Sequence, residues 1–320
     1  MAKNFDLISI GDATSDVFLE IDEATVLCAV KKESCQLCIN YADKVPVKKI
    51  TKISLAGNAA NVAVGASRLG LKSAFFTILG NDDMGKEIFK KLKAEGVARD
   101  YIKFDKKRGT NYSTVISFKG ERTILVFHER RDYRFSHLAK AKWVYLTSMG
   151  VGHESLYKPL IKYLKKNKTK LGFNPGTFQL KLGLIKLRPI IKLTTIFIVN
   201  KEEAERLAGK LKSVKELLLS LKKEGPKIVV ITDGIKGSYA FDGKKVYFQD
   251  IFAAPIVERT GCGDSYAAGF LCALAYGYDI PVAMRWGAIN AASVLQKIGS
   301  QEGLLSRREV ERTLSKNPKI

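Results

Sequence analysis

The stretch Glu258-Arg259-Thr260-Gly261-Cys262-Gly263-Asp264-Ser265 runs directly into Tyr266-Ala267-Ala268-Gly269-Phe270-Leu271-Cys272-Ala273-Leu274. The second half is apolar on every side, the pattern of a helix buried inside a domain. The first half is the start of that helix. Two glycines two apart let backbone N–H groups crowd around an anion, and the helix dipole adds partial positive charge there. Asp264 stands in the first turn, where an ordinary N-cap would also place an Asp. A carboxylate beside an anion hole has a further use. It accepts the proton of a hydroxyl that attacks a phosphoryl group, while the hole holds the charge on the transferred oxygens.

Outward from this helix, short apolar runs alternate with helical patterns. The spacing predicts strands over 5–10, 73–80, 143–146, 170–173, 195–199 and 227–231, and helices near 58–70, 84–95, 155–167, 202–208 and 213–224. Runs such as Phe75-Phe76 and Val229-Val230-Ile231 are apolar on both faces, as strands covered by helices on each side are. The expectation is an α/β fold with a doubly wound, mostly parallel central sheet. Two segments break the rhythm: residues 17–53 and 110–128 alternate like β-strands without helices, and Lys119-Gly120-Glu121 reads as a hairpin turn. They predict a small β lid over the carboxyl edge of the sheet. A later pair around Asp242-Gly243 reads as an antiparallel edge hairpin. No repeat or composition break demands a second globular unit, so a single domain over 1–320 is expected, with the lid inserted discontinuously.

Composition narrows the class. With 46% hydrophobic residues over 320, the chain has material for a real core. No apolar run reaches the ~18 residues of a membrane span, and the start has no apolar signal core; a cytoplasmic protein is expected. The net charge of +22 has two readings, an anionic partner such as nucleic acid or solvated lysines on helix faces. Between 155 and 195 the bases Lys158, Lys162, Lys165, Lys166 and their neighbours are interleaved with Leu160, Ile161 and Leu164, which favours a helix surface. Five cysteines without a signal peptide argue against a disulfide framework. Cys28, Cys35 and Cys38 lack the fourth ligand of a structural zinc site, so buried apolar thiols are the expectation.

Four further motifs follow strands or open a helix. Gly11-Asp12-Ala13-Thr14-Ser15-Asp16 follows the first strand at the edge where open α/β sheets bind ligands, and Asp16 suits vicinal hydroxyls, or equally turn and capping chemistry. In Gly57-Asn58-Ala59-Ala60-Asn61 two amides share one face of a first helical turn, positioned to bond hydroxyls, unless Asn58 is simply the N-cap of the helix. Asn200-Lys201-Glu202-Glu203 suits water-mediated Mg²⁺ binding, and is equally a capping box. Thr232-Asp233-Gly234-Ile235-Lys236-Gly237 suits nucleotide phosphates, and equally a plain turn.

Taken in order, these motifs resemble the ribokinase-like carbohydrate kinases, the PfkB family, over nearly the whole chain. Gly57 to Asn61, continued by Leu69-Gly70 and Gly80-Asn81-Asp82-Asp83-Met84-Gly85, is similar to the family's amino-terminal signature; Glu258 to Asp264 is similar to its carboxy-terminal one. The resemblance implies an ATP-dependent kinase acting on a hydroxymethyl group of a sugar of the ribose, fructose or 2-keto-3-deoxygluconate type. It implies Asp264 as base, N–H groups of Gly261, Cys262 and Gly263 as anion hole, and Asp16, Gly57, Asn58 and Asn61 on the sugar. It implies Asn200, Thr232, Gly234, Gly237 and Asn290 on the nucleotide, with Glu203 and Asn200 toward Mg²⁺. Ala56 stands where a first Gly is usual, and Cys262 where a small Ala is usual. Glu258 and Arg259 replace an Asp-Thr pair near a monovalent-cation site, which leaves potassium use open. A nucleoside kinase would need an aromatic slot, for which Tyr112 and Phe127 are available; a sugar acid or phosphosugar would need a cation such as Arg130, Arg131, Arg134 or Lys48. A non-catalytic basic relative that binds nucleic acid is the reading from a different class. Exposed lid edges make a homodimer through the lid plausible.

Overall fold

The computed structural model describes residues 4–28 and 35–317. The strands in chain order are β1 (Asn4–Ile10), β2 (Thr14–Ile21), β3 (Thr25–Cys28), β4 (Cys35–Cys38), β5 (Val47–Ala56), β6 (Ser73–Gly80), β7 (Ala98–Asp105), β8 (Tyr112–Phe118), β9 (Glu121–Phe127), β10 (Lys140–Leu146), β11 (Lys170–Phe173), β12 (Ile196–Asn200), β13 (Ile228–Thr232), β14 (Ser238–Phe241) and β15 (Val246–Gln249). The helices are α1 (Asn58–Arg68), α2 (Asp83–Ala94), α3 (Glu154–Asn167), α4 (Thr177–Leu180), α5 (Gly183–Ile191), α6 (Lys201–Ala208), α7 (Val214–Lys223), α8 (Cys262–Ala275), α9 (Ile280–Val294) and α10 (Arg307–Lys316).

Nine strands form the main sheet in the order β15-β14-β13-β12-β11-β10-β1-β6-β7. From β13 to β7 every neighbouring pair is parallel; β14 and β15 add an antiparallel hairpin at one edge. Strand alternation then decides which helices each strand meets. Phe197, Val199, Val229 and Ile231 pack with Leu156, Leu160, Leu187 and Leu217 on one face. Ile196, Ile198 and Val230 pack with Phe270, Leu271 and Trp286 on the other. The doubly wound sheet is therefore as its apolar runs require, and the basic stretch is a helix surface: in α3, Leu156, Leu160 and Leu164 are buried while Lys158, Lys162, Lys165 and Lys166 are exposed.

A second sheet, β5-β2-β8-β9, is antiparallel except for the parallel pair β2–β8. It draws on the two segments expected to be β, and extends further, from Thr14 and to Ala56. The expectation for the thiols is corrected. β3 and β4 pair antiparallel with Cys28 opposite Cys35 on an exposed hairpin, and a disulfide joins them. The C-x-x-C does not close on itself, because residues three apart on a strand point to opposite faces.

Helix α8 carries the decisive sequence stretch through the middle of the protein, and Asp264 to Ala273 are all buried. Three glycines make the fit. A Cβ on Gly65 of α1 would lie 2.9 Å from Ala268 Cβ; on Gly269 it would lie 2.6 Å from the Trp286 carbonyl oxygen; on Gly287 it would lie 2.9 Å from the Tyr266 carbonyl oxygen. Helices α8 and α9 thus touch backbone to backbone. Gly269→Val is expected to force them apart and lower stability by about 1–3 kcal/mol, the range for overpacking; the midpoint of urea unfolding measures it.

Candidate active site

The carboxyl ends of the parallel strands converge on the first turn of α8. Gly261 takes a left-handed conformation (φ 83°) as the residue before the helix, and no side chain caps α8. The first-turn N–H groups of a helix have no partner inside it. A Cβ on Gly261 would lie 2.4 Å from Ser300 Cβ, whereas a Cβ on Gly263 would meet nothing within 4 Å. One glycine is thus required by the wall behind, and the other leaves room in front. The Cys262 N–H is engaged weakly with the Arg259 carbonyl at 3.4 Å, so it is a poorer member of the expected anion hole than its neighbours. The Cys262 side chain packs toward the core beside α1, and burial pushes its thiol up to about 12.

Asp264 is 5% exposed. Its Oδ1 accepts from Asn58 Nδ2 at 3.0 Å and its Oδ2 from Asn61 Nδ2 at 2.7 Å. Burial raises the carboxyl to about 6, against the pull of the two amides, which lower it. Such a rise corresponds to roughly 3 kcal/mol of disfavoured ionisation. Two amides occupy half of the roughly four acceptor positions a carboxylate has. Asn58 and Asn61, expected to face sugar hydroxyls, are here turned onto the acid. Asn61 is held from behind as well: its Oδ1 accepts from Ser300 Oγ and Gln301 Nε2, each at 2.9 Å. Gly57 (φ 101°) allows this approach, since a Cβ there would lie 2.7 Å from the Asp12 carbonyl oxygen.

On the sugar side of the expected cleft, Asp16 is buried, accepts from Thr14 Oγ1 at 2.9 Å, and has its carboxyl raised by burial against the pull of the Thr14 and Ser113 hydroxyls. Beside it lies a network that the sequence did not reveal. Asp12 accepts from Tyr133 Oη, from the Gly150 N–H and from His128 Nδ1, all at 2.8 Å. Asp12 is therefore spent on structure, and its work is to aim His128. With Nδ1 committed to a carboxylate, Nε2 is the imidazole nitrogen left for a ligand. No local pattern marks His128 or Tyr133; they come from the return segment after β9, more than 110 residues from Asp12.

On the nucleotide side, Asn200 and Glu203 form the capping box of α6: Glu203 N–H donates to Asn200 Oδ1 at 2.8 Å and Asn200 N–H to Glu203 Oε2 at 2.9 Å. Yet Glu203 is not only a cap. Burial first, and then the Asp264 charge, push it up to about 7, so a cation between the two acids would be welcome. Among the described residues no cluster of three or more His, Cys, Asp or Glu forms a metal cage. Such a cation would accordingly be held largely by phosphate oxygens and water, as Mg²⁺ usually is. Thr232 ends β13, and Gly234 to Lys236 form a short 3-10 turn closed by Asp233 N–H to the Gly237 carbonyl at 2.8 Å. Gly237 is needed by the turn itself, because a Cβ would lie 2.3 Å from the Gln249 carbonyl oxygen, while Gly234 faces open space. Asn290 is a correction. It is fully buried, donating to the Ser265 carbonyl at 2.8 Å and accepting from Leu305 N–H at 3.0 Å. Its amide ties α9 to α8 and does not line a cleft.

Three of the four cations open to an acidic substrate are committed elsewhere. Arg131 is buried against Asp105 and the Gly109 carbonyl, Arg134 pairs with Asp132, and Lys48 with Glu20. Tyr112 and Phe127 face each other across β8 and β9, but alternation sets them on the side of the small sheet opposite Asp16 and Ser113.

The profile of the pfkB family carbohydrate kinases matches residues 20–307. A fructosamine kinase of Bacillus subtilis is 30% identical over 250 residues, which are 76% of this chain and 84% of that protein. A 5-dehydro-2-deoxygluconokinase of the same organism is 25% identical over 281 residues, 81% of this chain and 86% of that one. Arabidopsis thaliana ribokinase, solved with ribose and ATP, superposes with a TM-score of 0.81 at 22% identity over 98% of this chain and 99% of its own. One consequence of the geometry is independent of any substrate. Asn61→Ala removes a bond to the charged form of Asp264 and is expected to move its carboxyl upward from about 6; a carbon-13 carboxyl titration by NMR reads the change.

Proposed function

Because the chain belongs to the pfkB family of carbohydrate kinases, we propose that it transfers the γ-phosphoryl group of ATP to a hydroxymethyl group of a neutral sugar of the ribose or fructose type, with Asp264 as general base. The observation that carries this reading is the buried carboxyl of Asp264, raised to about 6 at an uncapped helix start with open space before Gly263. Asp264 takes the proton of the attacking hydroxyl. The first-turn amides around Gly261 and Gly263 receive the charge of the transferred oxygens. Asp16 and His128 hold sugar hydroxyls, and the amides of Asn58 and Asn61 keep the acid in place. When bound, Mg²⁺ neutralises phosphate charge; Glu203 would reach it through water, with Asn200 holding Glu203 in position. Thr232 and Gly234 border the nucleotide. The small sheet acts as a lid that keeps water from the reacting groups.

A neutral acceptor is preferred because three of the four candidate cations, Arg131, Arg134 and Lys48, are already paired, which leaves exposed Arg130 as the candidate for an acidic group. A second copy is proposed to cover the lid, whose edge strand β9 leaves Ile124, Leu125, Val126 and Phe127 between 41% and 60% exposed. Light scattering is expected to give twice the chain mass; a monomer at micromolar concentration refutes that pairing.

The main test is coupled phosphotransfer with purified protein against ribose, fructose, 2-keto-3-deoxygluconate and adenosine. Asp264→Asn is expected to lower kcat by ~10²–10⁴-fold, the usual worth of base catalysis; near-normal turnover refutes the role. The base must be ionised to work. Activity is therefore expected to fall as pH drops through about 6, set by the raised carboxyl of Asp264, and not through the ordinary range near 4. A kcat/KM profile flat down to pH 4.5 contradicts it.

A further inference from the structure

Residue Arg122 lies on β9, the edge strand of the small sheet, 136 positions from the segment that sets up the first turn of α8. Its Nη1 nevertheless donates to Glu258 Oε1 at 2.6 Å. The same oxygen accepts the Thr260 N–H at 2.8 Å and the Thr260 hydroxyl at 2.5 Å. Glu258 is itself anchored from below, where the N–H groups of Val257 and Glu258 donate to the Leu295 carbonyl at the end of α9. Its second oxygen, Oε2, is buried and has no partner. The Glu258 side chain is only 13% exposed, so Arg122 and Thr260 are its hydrogen-bond partners where water has little access. One carboxylate oxygen thus joins a lid strand to the two residues that precede Gly261.

We propose that Arg122 is a positioning residue for phosphoryl transfer, a clamp by which the lid strand fixes the Thr260-Gly261 turn and so the aim of the α8 amides. This rests on the phosphotransfer reading above. The sequence of causes is local. Removing Arg122 leaves a nearly buried carboxylate without a counter-charge, held only by the two Thr260 hydrogen bonds, which is costly. Glu258 then turns toward water and draws Thr260 with it. Gly261 is wedged against Ser300 and cannot follow without tilting the turn. Arg122 touches neither donor nor acceptor in this account, so its loss acts on the catalytic step and leaves binding largely intact.

The test uses the full-length protein with Arg122→Met, which keeps the apolar stem, and Arg122→Lys, which keeps the charge. Arg122→Met is expected to lower kcat about tenfold or more, within the ~10²-fold that a misplacement of an ångström costs. KM for sugar and for ATP should stay within about twofold, and Arg122→Lys should restore most of the loss. A second readout needs no turnover. Amide hydrogen–deuterium exchange in the peptide spanning 256–266 should speed up in Arg122→Met and return toward wild type in Arg122→Lys, with exchange across the main sheet unchanged. Unchanged exchange in that peptide overturns the clamp, whether or not the protein is active. An unchanged kcat in Arg122→Met overturns its role in transfer. A wild-type protein that phosphorylates no sugar, yet shows the exchange coupling, would fault the phosphotransfer reading and leave the clamp standing as a structural link.

Discussion

Burying one ionisable carboxyl at the start of a central helix constrains almost everything else in this protein. Asp264 has lost nearly all contact with water, and that loss weakens its acidity by enough to bring it close to neutral pH. Two asparagine amides offset part of the cost, which is why α1 has to lie against the first turn of α8. The amides are in turn fixed by Ser300 and Gln301, so the segment after α9 is drawn into the same contact. A carboxylate held this way is dry, oriented and readily protonated. Those are the properties a base needs when a hydroxyl must lose its proton while phosphorus is attacked.

The scaffold follows from the need to place that turn at the mouth of the parallel sheet. Helix α8 is apolar all round because it is enclosed by the sheet and by α1 and α9. Its close approach to both helices depends on Gly65, Gly269 and Gly287, where side chains would collide with neighbouring backbone or Cβ atoms. The strands bring their own polar ends to the same edge. Asp12 follows β1, Asn200 ends β12, and Thr232 ends β13, while Asp16 stands near the start of β2. The second sheet then adds Arg122, and the segment returning from it adds His128, two side chains that the main sheet could not supply.

Much of this was legible in the chain. The apolar pattern of 73–80 and 227–231 announced buried parallel strands, and the run after Gly263 announced the central helix. What escaped had a physical reason in each case. Strand β7 alternates weakly, with charged residues on a half-exposed edge, so its sequence carries little signal. Asn58 and Asn61 stood out in the sequence, but an amide can serve a ligand or a neighbouring acid, and only the approach of α8 turns them onto Asp264. Asn290 looked available for a nucleotide, yet burial obliges its amide to satisfy backbone groups of Ser265 and Leu305. Asn200 and Glu203 form the capping box their spacing allows, and the weakened acidity of Glu203 arises first from burial and then from the charge of Asp264, far away in sequence. The disulfide depended on a strand register that spacing alone does not give.

The most direct measurement is a crystal structure of the protein with its best acceptor sugar and a non-hydrolysable ATP analogue. The sugar's primary hydroxyl oxygen is expected within about 3.2 Å of an Asp264 carboxylate oxygen, with the terminal phosphate facing the amides near Gly261 and Gly263. If that hydroxyl instead sits against another residue, and Asp264 stays sealed by Asn58 and Asn61, Asp264 is not the base.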